Sequence, residues 1–293
     1  MPMTPQGFPV MLTFDLDAET MWTSRDAKNR ERPVVLSQGA YGWKVGMPRI
    51  LDMLDRYGIK VTFFIPGLVI EQRWALCEDV LKRGHEIAHH SWSHAWIIGL
   101  SPEEEREEME RGLEIITRLT GKPPAGWRSP AAEFSPITMP LLLEKGFRYS
   151  SNFFDDDSPY LHVVDGKVTE LVEFPFAWVL DDAPFFQYSI TLPGRTLQPP
   201  SAALESWRAE FDTLYREDRA FTLAMHPQII GRGSRLVALE GLIQYILGHP
   251  NVWFARCDQV AEAIRPYLQK TLQETLQKTL QETLQDPMSS QQA

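Results

Sequence analysis

Cysteine is scarce: Cys77 and Cys257 are the two thiols in 293 residues. Two cysteines cannot build a disulfide framework, and neither stands in a Cys-x-x-Cys pair. No run of 18 apolar residues occurs, so the sequence offers no membrane-spanning helix. Residues 1–10 hold no basic side chain and no apolar stretch of leader length, so the expected location is the cytoplasm, with reduced thiols. Positive charge is in deficit, with 29 Lys and Arg against 39 Asp and Glu and a net charge of −10. Nucleic acids and anionic membrane surfaces are held by basic patches, so neither is an expected partner. A 43% hydrophobic content over this length supports a full globular core.

Histidine is also sparse, seven in all, yet four fall between His85 and His94. Within Gly84-His85-Glu86-Ile87-Ala88-His89-His90-Ser91-Trp92-Ser93-His94, His90 and His94 are four apart. On a helical turn, or on a strand end rolling into a turn, that spacing aims two imidazoles at one point. Such a pair holds a metal when a third ligand arrives from elsewhere. The plain alternative is a histidine cluster on a solvated loop.

Val10-Met11-Leu12-Thr13-Phe14 reads as a buried strand that runs into Asp15-Leu16-Asp17. Residues i and i+2 of a strand share a face, so Asp15 and Asp17 can address one spot, unless they only close an Asx turn. Residues 18–44 show no period and read as a long aromatic loop over a pocket. Beyond it, strands are expected at 60–65, 86–89, 125–128, 147–151, 220–225 and 251–255. Helices are expected at 47–57, 69–83, 101–120, 135–146, 201–217, 234–248 and from about 258, each closed by proline, glycine or cap signals. The charge run opening the 101–120 helix reads as a solvated face. Strand–helix alternation implies a parallel sheet. The expected fold is α/β, a distorted (β/α) barrel of about seven parallel strands over residues 1–267. Asp15, Asp17, His90, Arg128 and His226 all fall at carboxyl ends of strands, the face where barrel sites form. A metal site at these residues is the reading. Leucines at 268, 272, 276, 280 and 284 give residues 268–293 a period-four tail, helical in part or disordered.

These motifs resemble those of the polysaccharide deacetylase (NodB-homology) family, over roughly residues 8–262. Phe14-Asp15-Leu16-Asp17, His90-Ser91-Trp92-Ser93-His94, Arg128-Ser129-Pro130 and Leu223-Ala224-Met225-His226-Pro227 carry the resemblance. It implies a metal triad of Asp17, His90 and His94, with Asp15 as base, His226 as acid and Arg128 orienting Asp15. The family's usual adjacent aspartates are here split by Leu16. Together with Arg128-Ser129-Pro130-Ala131-Ala132-Glu133 and Val172-Glu173-Phe174-Pro175, this resembles a cytoplasmic branch with cyclic imide hydrolases, metal-free allantoinase-like enzymes and peptidoglycan-deacetylase-like proteins, often homotetramers. The acid that would tune His226 stays open among Asp155, Asp156, Asp157, Asp181 and Asp182.

Two imidazoles and a carboxylate suit zinc, with cobalt, nickel and iron as alternatives. Tyr41, Trp92, Trp127 and Trp178, with Trp22, are candidates for the pocket wall, as is Glu133 for substrate contact. Glu133 and Glu173 otherwise read as held by Arg128 or a backbone turn. His85, His89, His162 and His249 read as structural or exposed. The expected activity is metal-dependent hydrolysis of amide C–N bonds in a small-molecule substrate, most directly ring opening of cyclic imides. N-deacetylation of amino sugars or peptidoglycan is the second reading, and a catalytically dead scaffold the third.

Overall fold

The computed structural model describes residues 4–188 and 196–285, with side chains of the final helix described as far as 274. The chain runs β1 (Phe8–Asp15), α1 (Thr20–Thr23), α2 (Pro33–Tyr41), α3 (Met47–Tyr57), β2 (Thr62–Ile65), α4 (Gly67–Gln72), α5 (Trp74–Lys82) and β3 (Glu86–His89). It continues through α6 (Pro102–Thr120), β4 (Gly126–Trp127), α7 (Thr138–Glu144), β5 (Tyr149–Ser150), β6 (Tyr160–Val164), β7 (Lys167–Glu173) and α8 (Ala183–Phe186). The last part holds α9 (Pro200–Arg216), β8 (Phe221–Met225), α10 (Pro227–Ile230), α11 (Gly233–Leu247), β9 (Val252–Phe254) and α12 (Cys257–Gln285).

Among the described residues the sheet has nine strands in the order β6-β7-β5-β4-β3-β2-β1-β8, with β9 also on β1. All pairs are parallel except β6–β7. All eight residues of β1 are buried, as a central strand covered on both faces requires. Val10, Leu12 and Phe14 join the core beneath the helices, whereas Met11 joins a second cluster with Phe64, Ala88, Tyr149, Val172 and Phe174. Strand alternation assigns this second cluster to the barrel interior. Cys257, Val260, Ala261 and Ile264 of α12 belong to it and seal the amino ends of the strands. Met11, Thr13 and Asp15 therefore share the inner face, and so do Glu86, Ala88 and His90.

The ring is not closed by a strand ladder. Segment 174–182 leaves β7 and crosses to β8, where Asp181 makes a single bridge to Ala224 and the Asp182 N–H donates to the Ala224 carbonyl (3.2 Å). This crossing decides the chemistry at His226, described below.

Two expectations are corrected, and one hairpin was not expected. Residues 18–44 are not a loop: α1, a 3-10 turn at Ala27–Glu31 and α2 fill them, and a π-turn at Gly42–Gly46 leads into α3. The helices show no apolar period because they pack by backbone approach. A Cβ at Gly39 would lie 2.5 Å from the Ala18 carbonyl oxygen. The expected 69–83 helix is two, parted at Arg73, whose φ of −133° is not helical. The β6–β7 hairpin has no counterpart in the expected elements. Its signal is Asp165-Gly166, both left-handed (φ 50° and 73°) between β-branched runs, the turn that suits a two-residue hairpin.

α12 passes residue 267 without a break, and Leu268 packs against the interior cluster. The expected boundary there is thus inside a helix. The leucine stripe beyond 272 and the disorder expected over 286–293 lie outside the described side chains and residues. No helix of the described residues is long and apolar enough to cross a membrane.

At the amino end of β3, Glu86 accepts from Thr62 Oγ1 (2.6 Å), Tyr149 OH (2.9 Å) and the Asp258 N–H (3.1 Å). Burial, reinforced by the Asp258 charge, pushes its pKa up to about 7 from 4.5. A carboxyl raised on folding contributes stability below its unfolded pKa and loses it as pH rises through the folded one. Glu86→Gln is expected to gain on wild type between pH 4.5 and 7, by up to roughly 3 kcal/mol at pH 8. Urea unfolding at pH 4.5 and pH 8 measures this, and an equal difference at both would contradict it.

Candidate active site

Four strand ends meet at one cavity. Asp15 is the last residue of β1, and His90, Arg128 and His226 directly follow β3, β4 and β8. Asp17 lies two residues past β1, before a left-handed turn at Ala18 (φ 50°), and its carbonyl accepts from Thr20 Oγ1 (2.5 Å).

Asp17, His90 and His94 form a buried donor set. Asp17 Oδ1 lies 3.3 Å from His90 Nε2 and 3.5 Å from His94 Nε2. In a tetrahedral zinc site with bonds of about 2.1 Å, neighbouring ligand atoms are about 3.4 Å apart. The outer nitrogens are engaged elsewhere. His90 Nδ1 donates to the Arg128 carbonyl (2.8 Å), and His94 Nδ1 meets Ser24 Oγ (3.1 Å). A carbonyl can only accept, so His90 carries a proton on Nδ1, which leaves Nε2 as the nitrogen that a metal would take. Asp17 Oδ2 accepts from Gln228 Nε2 (3.2 Å), while buried Oδ1 has no hydrogen-bond partner among the described residues. An orphaned carboxylate oxygen facing two imidazoles fits a divalent cation. Burial works to raise the Asp17 pKa, but His94, His90 and His226 outweigh it and hold the carboxylate ionised. Burial pushes His94 down to about 4, which leaves it neutral, as a ligand must be.

Arg128 ties two groups together. Its Nη1 donates to Asp15 Oδ1 and to Thr13 Oγ1 (2.8 Å each), and its Nη2 donates to Ser151 Oγ (2.9 Å). The guanidinium lies over the Phe64 ring (4.2 Å). Its carbonyl holds His90, so one residue sets both the carboxylate and an imidazole. Asp15 Oδ2 then faces inward, 3.9 Å from His90 Nε2.

His226 faces the donor set from the other side, with Nε2 3.9 Å from Asp17 Oδ2. Its Nδ1 bonds Asp182 Oδ1 (2.6 Å), and its N–H donates to Asp182 Oδ2 (3.0 Å). Of the five acids open in the sequence, Asp182 is in contact and Asp181 stands 3.9 Å away. Burial opposes the charged imidazole, but the Asp182 contact, Asp181 and Asp17 together hold its pKa well above the ordinary value. Burial pushes Asp181 up to about 7, countered in part by His226.

The cavity measures about 510 Å³ and is lined by the polar groups above together with Met21, Arg25, Trp96, Phe176, Trp178 and Gln187. Trp178 reaches this wall, but Tyr41, Trp92, Trp127 and Glu133 do not. Trp127 alternates with inward Arg128, so it points outward, fully buried against His89 and Phe147. Trp92 follows Ser91, whose φ of 64° turns the chain away; it packs under Arg111 (4.2 Å). The Tyr41 hydroxyl donates to the Gly231 carbonyl (3.1 Å), and Trp22 is core. Glu133 is exposed and accepts its neighbour's N–H, while Glu173 holds the Asn152 and Phe153 N–H groups and His162. His85 and His89 take backbone partners on the outer face. Sequence reasoning missed Gln228, Ser24, Met21, Arg25, Trp96 and Phe176. Gln228, two residues after His226, and Trp96, two after His94, were within reach of a motif.

The model for "Polysaccharide deacetylase" matches residues 27–150. The peptidoglycan deacetylase of Helicobacter pylori is 30% identical over 273 residues, covering 85% of this chain and 93% of the relative. A Mycobacterium smegmatis crystal structure assigned as a polysaccharide deacetylase superposes with TM-score 0.84 at 35% identity, covering 90% of this chain and 92% of that one. Puue allantoinase shares the fold, with TM-score 0.77 at 24% identity and 88% and 91% coverage. With such identity across most of both chains, this chain belongs to the polysaccharide deacetylase family.

Proposed function

We propose that the protein is a metal-dependent hydrolase of amide C–N bonds that opens small ring amides, cyclic imides first among them. The observation that carries this reading is the depth of the donor set. Asp17, His90 and His94 are each 5% exposed or less, at the floor of a cavity of about 510 Å³. Met21 and Arg25, from the helical segment after β1, form part of its wall. A compact ring enters such a recess whole, whereas a polymer strand needs an open groove.

Asp17, His90 and His94 would hold a divalent ion, which would supply Lewis acidity to an amide carbonyl and lower the pKa of water to about 7. Zinc suits these donors, and cobalt, nickel or iron would also be accepted. Asp15, fixed by Arg128 through Oδ1, takes a proton from the attacking water at Oδ2. His226 Nε2 gives a proton to the departing nitrogen, and Asp182 keeps the imidazole charged and aimed. The water oxygen ends on the carbonyl carbon as the C–N bond breaks. A ring imide thereby becomes an open-chain amide acid.

N-deacetylation of amino sugars is the second reading, and it uses the same groups. The names of the relatives favour it, as does a stacked pair near the cavity, Phe154 on Trp178 (5.0 Å), both about half exposed. An exposed aromatic face suits a sugar ring. The deciding experiment offers succinimide, glutarimide and hydantoin beside N-acetylglucosamine oligomers. Ultraviolet absorbance and acetate release are followed as purified, after chelation and after zinc return. Ring opening that dies with chelator and returns with zinc is expected. Acetate release without ring opening moves the assignment to amino sugars, and no turnover of either class by zinc-loaded protein overturns both.

A further inference from the structure

The turn between His90 and His94 is held by a side chain from another element. Glu108 lies in the charge run of α6 that the sequence presents as a solvated face. Its Oε2 accepts from Ser91 Oγ, from the Trp92 N–H (3.0 Å) and from the Ser93 N–H (2.8 Å), and its Oε1 accepts from Ser93 Oγ (2.7 Å). One carboxylate thus engages all three residues between the two imidazoles. The turn needs such a tie, because Ser91 and His94 both adopt left-handed backbone (φ 64° and 63°) without being glycine. Those two residues set the directions of the His90 and His94 rings. One turn along α6, Arg111 covers the Trp92 ring, and Met109 gives its carbonyl to His89 Nε2 (2.9 Å). Helix α6 therefore grips the motif on both sides of His90.

We infer that Glu108 is a positioning residue for the metal centre, setting divalent-ion affinity through the 91–93 turn without touching the ion. The inference rests on Asp17, His90 and His94 as the metal ligands. Without Glu108, two N–H donors lose their acceptor, and the turn relaxes away from the geometry that brings both Nε2 atoms to Asp17. Residues that orient ligands typically change metal affinity by about 10- to 100-fold.

The test measures zinc dissociation constants by chelator competition, well below the melting temperature of each protein, and kcat at saturating zinc. Glu108→Ala should weaken zinc about 10- to 100-fold, with kcat largely recovered once zinc saturates. Glu108→Gln should stay within a few-fold of wild type, because its amide oxygen can replace Oε2 and its NH2 can donate to Ser93 Oγ. If the alanine variant does not fold, Glu108→Asp, which keeps the charge and loses the reach, takes its place and should also weaken zinc. Wild-type affinity in either shortened variant overturns the inference while leaving the ligand assignment intact. Wild-type protein that binds no zinc overturns both.

Discussion

Asp17→Ala is expected to abolish divalent-ion binding at the proposed site and to lower kcat/KM by on the order of 10³ or more. Asp17 is the carboxylate of the donor set and places Oδ1 within 3.5 Å of both imidazoles. Its removal leaves two neutral nitrogens, too few donors and no negative charge to hold a divalent ion tightly. Metal per chain, measured after exhaustive dialysis, is the primary readout. Thermal stability is the second, since an ion bound at 100 times its dissociation constant adds about 2.7 kcal/mol to wild type. Zinc should raise the melting temperature of wild type and not of the variant. A variant that keeps one metal equivalent would mean that the ligand assignment is wrong.

His226→Ala is expected to lower kcat by about 10² to 10⁴ while metal content stays at the wild-type level, because the role proposed for its Nε2 is to give up a proton and not to hold the ion. The loss should be smallest for substrates whose leaving nitrogen needs no proton. Asp182→Asn gives the finer readout. An acid must hold its proton, so activity falls as pH rises through the His226 pKa. In wild type, Asp182, Asp181 and Asp17 hold that pKa well above 6.5. Removing the Asp182 charge lowers it, so the alkaline limb of the kcat profile should move toward acid. An unmoved limb with undiminished kcat would exclude Asp182 as the partner that sustains the acid.

Local chemistry in the sequence carried the scaffold and most of the donor set. Alternation along β1 and β3 puts Asp15 and His90 on the inner face and His85 and His89 outside it, because a strand has a strict period of two. The capping pattern at Ser101 and Glu104 fixes where α6 begins, since both partners lie within one turn. Other features depended on segments that meet only in the folded chain. Segment 174–182 has no period of its own, and its bridge to Ala224 is what selects Asp182 among five candidate acids. Glu105 and Glu108 look like their solvated neighbours, yet Glu105 bonds Ser135 and Thr138 while Glu108 binds the motif turn. The helices of residues 20–46 stayed hidden because glycine contacts leave no apolar stripe to read. Periodicity reports which way a side chain points from its own element, and only the packing of distant segments decides what it meets there.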